Sequence, residues 1–202
     1  MGKLSLQVNN LWVQKYSLGP TRREVSKIII PLLDERPELK ILDIGCGTGQ
    51  ILNEVSSTHP MVDYLGIDVA NNMIELAKEN NKGANIKFIV SSIEDFKSDG
   101  KFDIILCTHA FPYFPNKEEM LKKMANLCNE KGELIIVNSS SNSLKDLVIN
   151  FFLKATTSEA KYLSIGEMKE LFERAGLKLK KINIIREKVI CQLFLYFIWK
   201  AS

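Results

Sequence analysis

Leu42-Asp43-Ile44-Gly45-Cys46-Gly47-Thr48-Gly49-Gln50 closes an apolar run with an acidic residue and then sets three glycines at alternate positions. Such a stretch turns a buried strand sharply into a helix. It also leaves the backbone bare enough for a nucleoside ligand to lie against it. On both sides of it, short apolar runs alternate with amphipathic stretches, the pattern of parallel strands joined by crossover helices. Strands are expected near 39–44, 62–67, 85–90, 102–107 and 133–138, and helices near 20–35, 48–58, 70–81 and 117–129.

The helix near 117 shows the logic. Asn116 can cap it, Glu118 and Glu119 oppose its positive end, and Met120, Leu121, Met124 and Leu127 recur at helical spacing, with Gly132 closing the connection to the next strand. Residues 138–143 read as a polar loop, and 144–154 as an extra amphipathic helix, a candidate lid. Ser164 and Glu167 form a possible capping box on a helix that Gly176 stops. Two last strands, near 178–187 and 189–199, have no helix between them and should pair antiparallel. The fold class expected is α/β: a doubly wound, mostly parallel seven-stranded sheet with an antiparallel last strand. One domain, 1–202, divides into a cap and first helix (1–37), a ligand-binding core (38–138), the candidate lid (139–163) and a last helix with its hairpin (164–202).

Composition narrows the partners. With 202 residues, the chain can bury a sizeable core without disulfides or metals. The 27 Lys and Arg and 24 Asp and Glu are scattered, so the net charge of +3 argues for neither nucleic acid nor an anionic membrane. Cys46, Cys107, Cys128 and Cys191 lack metal-ligand spacing to each other or to His59 and His109, and read as reduced thiols of a cytoplasmic protein. The start of the chain lacks the apolar core of a secretory signal. The most apolar stretch, Leu193 to Trp199, falls short of the roughly 20 residues that span a bilayer and reads as a strand covered on both faces.

In an open parallel sheet the ligand site forms outside the carboxyl ends of the strands. The first strand ends in Asp43 to Gly49 and the second in Gly66-Ile67-Asp68, with Asp68 lying 19 positions after Gly49. A carboxylate there can accept both hydroxyls of a ribose. A nicotinamide dehydrogenase shares these features but carries GxGxxG, whereas here the glycines stand at 45, 47 and 49 with Asp43 beside them. That carboxylate would repel a pyrophosphate and attract an ammonium and a sulfonium. The residues favour a cationic amino-acid nucleoside.

On LDIGCGTG and Gly66-Ile67-Asp68, the chain resembles the class I S-adenosylmethionine-dependent methyltransferases over about residues 38–200. The resemblance implies a Rossmann-like methyltransferase fold, its seventh strand antiparallel between the fifth and sixth. It implies S-adenosylmethionine as cofactor and S-adenosylhomocysteine as product. Gly45, Cys46, Gly47 and Gly49 would bring backbone against the methionine part and ribose, Asp43 would help hold the amino group, and Asp68 would bind the ribose hydroxyls. Relatives often carry an acid at the end of the third strand for the adenine amine. Here Ser92 stands at that position with Ile93 to pack on the base, and Glu94 and Asp95 read as helix-start charges. Val69 and Met73 can flank the adenine, or Met73 can be core.

The fourth strand delivers Thr108-His109-Ala110-Phe111-Pro112-Tyr113-Phe114 to the site. His109 is a candidate general base, or a residue that only shapes the pocket. Before the first helix, Tyr16 can close on the sulfonium and Arg22 can pair with the methionine carboxylate, unless this segment is a plain helix start. Phe111, Tyr113, Phe114, Phe151 and Phe152 can wall an aromatic or lipophilic acceptor, or pack. The Asn/Asp/Ser-Pro-Pro-aromatic signature of nucleic-acid base methylation is absent after this strand, and no acidic metal-ligand cluster follows it. The expectation is metal-independent methylation of a small molecule, with no nucleic-acid or membrane partner. The alternatives are a cofactor-binding regulatory or partner protein without methyl transfer, and aminopropyl transfer from the decarboxylated cofactor.

Overall fold

A computed structural model of the chain describes residues 19–81, 83, 85–139, 160–185 and 194–200. The elements run α1 (Gly19–Glu35), β1 (Lys40–Ile44), α2 (Gln50–Ser56), β2 (Asp63–Asp68), α3 (Asn71–Asn80), β3 (Ile86–Val90) and β4 (Phe102–Thr108). A 3-10 turn (Phe111–Tyr113), α4 (Lys117–Leu127), β5 (Cys128–Ser139), α5 (Ile165–Arg174), β6 (Leu179–Ile185) and β7 (Phe194–Lys200) follow. The sheet order is β3-β2-β1-β4-β5-β7-β6. The pairs among β1 to β5 are parallel, and β7 lies antiparallel to both β5 and β6. The mostly parallel doubly wound sheet expected from the sequence is therefore present, with the antiparallel hairpin at its end.

Alternation along the central strands divides the core. Ile104 and Leu106 of β4 join Val25, Ile29 and Leu33 of α1, Leu52 and Val55 of α2, and Ile74 and Ala77 of α3 on one face. Ile105 and Cys107 of the same strand join Met120, Leu121 and Met124 of α4 and Met168, Leu171 and Phe172 of α5 on the other. A strand buried on both faces reads as an unbroken apolar run, which is why Phe102 to Cys107 shows almost no polar alternation. The helices that cover the sheet are held by ordinary devices. Ser164 Oγ accepts from Glu167 N at 3.2 Å while Glu167 Oε2 accepts from Ser164 N at 2.8 Å, the capping box expected from the sequence. Gly176, at φ 73°, ends that helix.

The helix expected over 48–58 spans Gln50–Ser56, residues 186–193 at the expected turn between the last two strands lie outside the described residues, and the boundary before the fifth strand differs most. The helix expected to reach residue 129 stops at Leu127, and β5 starts at Cys128. The cause is a register break: Phe102 pairs with Cys128, but Ile104 pairs with Glu133. Asn129 Nδ2 donates to Asp103 Oδ1 at 2.7 Å to hold the bulged backbone. Gly132 fits inside it, where a Cβ would lie 2.9 Å from the Asp103 carbonyl oxygen. The candidate lid helix, 144–154, lies outside the described residues. Among the described residues no helix is long and apolar enough to cross a membrane.

Candidate active site

The carboxyl ends of β1, β2 and β4 open together onto a cavity of about 990 Å³. Its floor is the turn after β1. Gly45 N and Cys46 N both donate to the Ile67 carbonyl, at 2.8 and 3.0 Å, and Gly47 N donates to Asp68 Oδ2 at 2.9 Å. Three successive amides are thus fastened to the end of β2. The path requires φ 74° at Gly45 and 54° at Gly47, values that side-chain-bearing residues rarely adopt. A Cβ on Gly45 would lie 2.4 Å from Ala110 Cβ, so this glycine also admits the segment after β4. A Cβ on Gly47 would meet nothing within 4 Å, and Gly47 lies on the cavity wall.

Asp68 closes β2 with both carboxylate oxygens placed: Oδ2 accepts from Gly47 N and Oδ1 from Ala70 N, each at 2.9 Å. Each oxygen retains a lone pair, so the fixed carboxylate can still receive two adjacent hydroxyls. Beside it Val69, Met73, Leu76 and Ile93 bring apolar surface to the cavity, with Val69 71% exposed at its mouth. They make that side of the cavity apolar. Asp43 lies beneath this floor and off the cavity wall. It is 1% exposed, and its Oδ1 has no hydrogen-bond donor. Burial, with the charge of Asp68 next, pushes its carboxyl up to about 7.

Opposite stands the segment after β4. Thr108 and His109 line the cavity, and His109 takes a left-handed backbone, φ 61°, while its amide donates to the Val137 carbonyl at 2.7 Å. Its Nε2 shares a 2.9 Å hydrogen bond with Oγ1 of the buried Thr21 of α1. Burial pushes the imidazolium down to about 4, so the ring is neutral at neutral pH. The 3-10 turn then presents Tyr113, Phe114 and Pro115 to the cavity. Phe111 faces the core instead, edge-on to Phe114 at 5.7 Å. Lys117 Nζ donates to the carbonyls of Pro112 and Phe114, at 2.9 and 2.8 Å, and so braces this turn.

Of the residues singled out from the sequence, Gly45, Cys46, Gly47, Asp68, Val69, Met73, Ile93, Thr108, His109 and Arg22 meet at one cavity. Arg22 donates to Gln50 Oε1 and lies 4.0 Å from Glu54 Oε2. Three residues are placed otherwise. Asp43 is beneath the floor; Gly49 packs against Phe88, where a Cβ would come within 2.5 Å. Ser92 turns its hydroxyl to Asp95, 2.8 Å from Oδ2, in a local turn off the wall. Beside Ile93, the cavity residues after β3 are instead Ser91 and Glu94, the latter read from the sequence as a helix-start charge. Thr21 and Ile51 also line the cavity without a motif to announce them, as do Thr48 and Gln50 of the glycine-rich stretch, to which the sequence assigned no role. Tyr16, Phe151 and Phe152 lie outside the described residues. Among the described residues no three His, Cys, Asp or Glu side chains gather as a metal site.

The donor set fits the nucleoside that the sequence implies: open space over Gly47, a fixed carboxylate for a diol, an apolar side for a base and, beneath the floor, a buried carboxylate whose Oδ1 lacks a donor among the described residues, for a cation. Residues 35–182 match the family model described as "Methyltransferase domain". The chain is 27% identical over 173 residues to a ubiquinone biosynthesis O-methyltransferase of Coxiella burnetii, covering 79% of this chain and 73% of that relative. It is 28% identical over 115 residues to a malonyl-[acyl-carrier protein] O-methyltransferase of Anoxybacillus flavithermus, covering 57% of this chain and only 44% of that relative's length. In structure it is similar to the plantazolicin methyltransferase BpumL solved with S-adenosylhomocysteine, with TM-score 0.75 at 19% identity over 100% of this chain and 92% of that one. Magnesium protoporphyrin IX methyltransferase of Synechocystis, also with bound S-adenosylhomocysteine, gives TM-score 0.73 at 16% identity over 93% and 87%.

Proposed function

The chain belongs to the methyltransferase-domain family, of the S-adenosylmethionine-dependent class, and on that premise we propose that it moves the sulfonium methyl to a small-molecule acceptor by direct in-line displacement, without a metal. The observation that carries the reading is the single cavity in which the glycine turn, Asp68 and the aromatic turn after β4 face one another. When bound, the cofactor supplies an electrophilic methyl. The protein's work is then positioning and exclusion of water. Asp68 would hold the ribose hydroxyls, and the open Cα of Gly47 would admit the nucleoside. Val69, Met73 and Ile93 flank the adenine, within reach of Ser91 and Glu94. Arg22, on the cavity wall, would hold the methionine carboxylate, and Asp43 would counter the ammonium from beneath the floor.

The acceptor side is walled by Ala110, Tyr113 and Phe114, which favours a planar or lipophilic acceptor. The relatives named for ubiquinone biosynthesis and for malonyl-[acyl-carrier protein] support an acceptor that is not a nucleic-acid base. His109 serves here as a neutral wall residue fastened to Thr21. A base whose conjugate acid lies near 4 draws a proton poorly at neutral pH. Calorimetric titration with S-adenosylmethionine, S-adenosylhomocysteine and NAD tests the cofactor, followed by an acceptor screen with and without EDTA. The expected result is tight binding of the first two and turnover that EDTA leaves unchanged. NAD binding alone would sink the reading, and cofactor binding with no methylated product in any screen would leave the regulatory alternative.

A further inference from the structure

Asp43 is flanked on both sides by strands, opposite Gly66 of β2 and beside Leu106 of β4. At 1% exposed, with Oδ1 sealed from any donor, it is a poor place for an uncompensated negative charge. Among the described residues, the titratable groups that surround it add none of the missing compensation. Asp68 faces it from the end of β2 and repels a charge on it; Cys46 faces it from the glycine turn and Cys107 from β4. Burial and then the Asp43 charge push both thiols far up, so they stay neutral. Across the cavity His109 is neutral through the same range, and Arg22 of α1 is engaged with Gln50 beside Glu54. Asp43 is therefore the group in this cluster that changes charge near neutrality, with its carboxyl at about 7.

Resting on the cofactor reading above, we propose that Asp43 carries a proton in the ligand-free protein and yields it to solvent when the cofactor binds, so that a cationic ligand enters in exchange for a proton. The carboxyl O–H bond breaks, its electron pair stays on the carboxylate, and the proton passes to buffer. The ligand's ammonium, in the cavity above the floor, would then supply the positive charge that the buried carboxylate lacks. S-adenosylhomocysteine keeps that ammonium and drives the same release. Affinity consequently rises with pH up to about 7 and levels off above it.

The test is calorimetric titration of the full chain with S-adenosylhomocysteine at pH 6, 7 and 8, each in two buffers of different ionisation enthalpy. The buffer dependence of the heat counts protons. A carboxyl at about 7 that becomes fully ionised in the complex releases about 0.9, 0.5 and 0.1 proton per ligand at those three pH values. The dissociation constant is then about tenfold weaker at pH 6 than at pH 8. Asp43→Asn abolishes the buffer dependence at pH 6. The wild-type titrations decide the matter even if that variant does not fold. Binding whose heat is the same in both buffers at pH 6, with an affinity flat from pH 6 to 8, overturns the proton exchange and leaves the cofactor reading standing. Failure of S-adenosylhomocysteine to bind at any pH overturns the cofactor reading itself.

Discussion

At Gly45 and Gly47 the same residue type answers two different demands. Gly45 is pressed from outside by Ala110, whose Cβ would sit 2.4 Å from an added one, and neither atom belongs to a side chain that can swing away. Gly45→Ala therefore adds overpacking of about 1–3 kcal/mol to a left-handed backbone penalty of about 1–2 kcal/mol. A melting temperature lower by roughly 5–15 °C is expected in thermal denaturation. Gly47→Ala meets open space, so it carries the backbone penalty alone, but its methyl stands on the cavity wall. We expect a melting temperature within about 5 °C of wild type and S-adenosylhomocysteine affinity reduced tenfold or more; retained affinity would show that the nucleoside lies elsewhere. Two groups nearby, the buried Asp43 and the part-buried His109 on the cavity wall, make a second, pH-dependent prediction. Asp43 has its pKa raised on folding to about 7, so its contribution is present at acid pH and lost as pH rises towards 7. His109 has its pKa lowered to about 4, so its contribution is present above about 6.5 and lost as pH falls towards 4. The two slopes oppose each other between about pH 4 and 6.5. Chemical denaturation of the ligand-free chain should show it: Asp43→Asn becomes less stable on acidification through that window, and His109→Gln becomes less stable on raising the pH from 4 to 7, each by a few kcal/mol on the order of the linkage. Parallel curves for both variants would refute the assignment.

Among the elements, α5 is the clearest case of local sequence deciding local structure. Its start was legible because Ser164 and Glu167 satisfy each other's backbone donors, a device contained within four residues. Ser164→Ala should cost about 1 kcal/mol, seen as a melting temperature lower by about 2–4 °C. S-adenosylhomocysteine affinity should not change, since neither residue reaches the cavity; a weakened ligand would mean α5 is coupled to the site. Where an element's bounds depend on a distant strand, the sequence was less informative. The end of α4 was misplaced because the bulge at Cys128 to Glu133 exists to fit Phe102 and Ile104, some thirty residues away. The same limit applies after β3. Alternation along a strand says which side chains face the ligand, but it ends with the strand at Val90, and the turn that Ser92 and Asp95 make locally moves the cavity role to Ser91 and Glu94. The glycine turn and Asp68 were readable because their task needs particular residue types at fixed spacing. Thr21 and Ile51 were not, since a threonine and an isoleucine on helices suit a hundred settings. Asp43 was identified as the acid of the site, but its place beneath the floor follows only from the strands on either side of it.

For the whole molecule, sheet order is what makes these local facts into a site. β1 and β4 are neighbours, but the chain leaves β1 through α2 towards β2 on one side and leaves β4 through α4 towards β5 on the other, so the turns after these two strands diverge and open the cavity between them. A ligand there touches residues following three strands that are far apart in the chain: Gly47 after β1, Asp68 at the end of β2 and Thr108 at the end of β4. Binding must therefore stabilise the packing of the central sheet as a unit, rather than one loop. Because α1 reaches the same cavity through Thr21 and Arg22, the helix that covers one face of the core is coupled to it as well. A ligand at one hundred times its dissociation constant stabilises the folded state by about 2.7 kcal/mol. For a chain of this size the melting temperature should rise by roughly 5–10 °C with S-adenosylhomocysteine, and not at all with NAD at the same concentration. Hydrogen exchange gives the spatial readout: amides of β1, β2 and β4 should slow together. Protection confined to the glycine turn would mean that the ligand rests on one loop, and that the convergence of the three strands does not form the site.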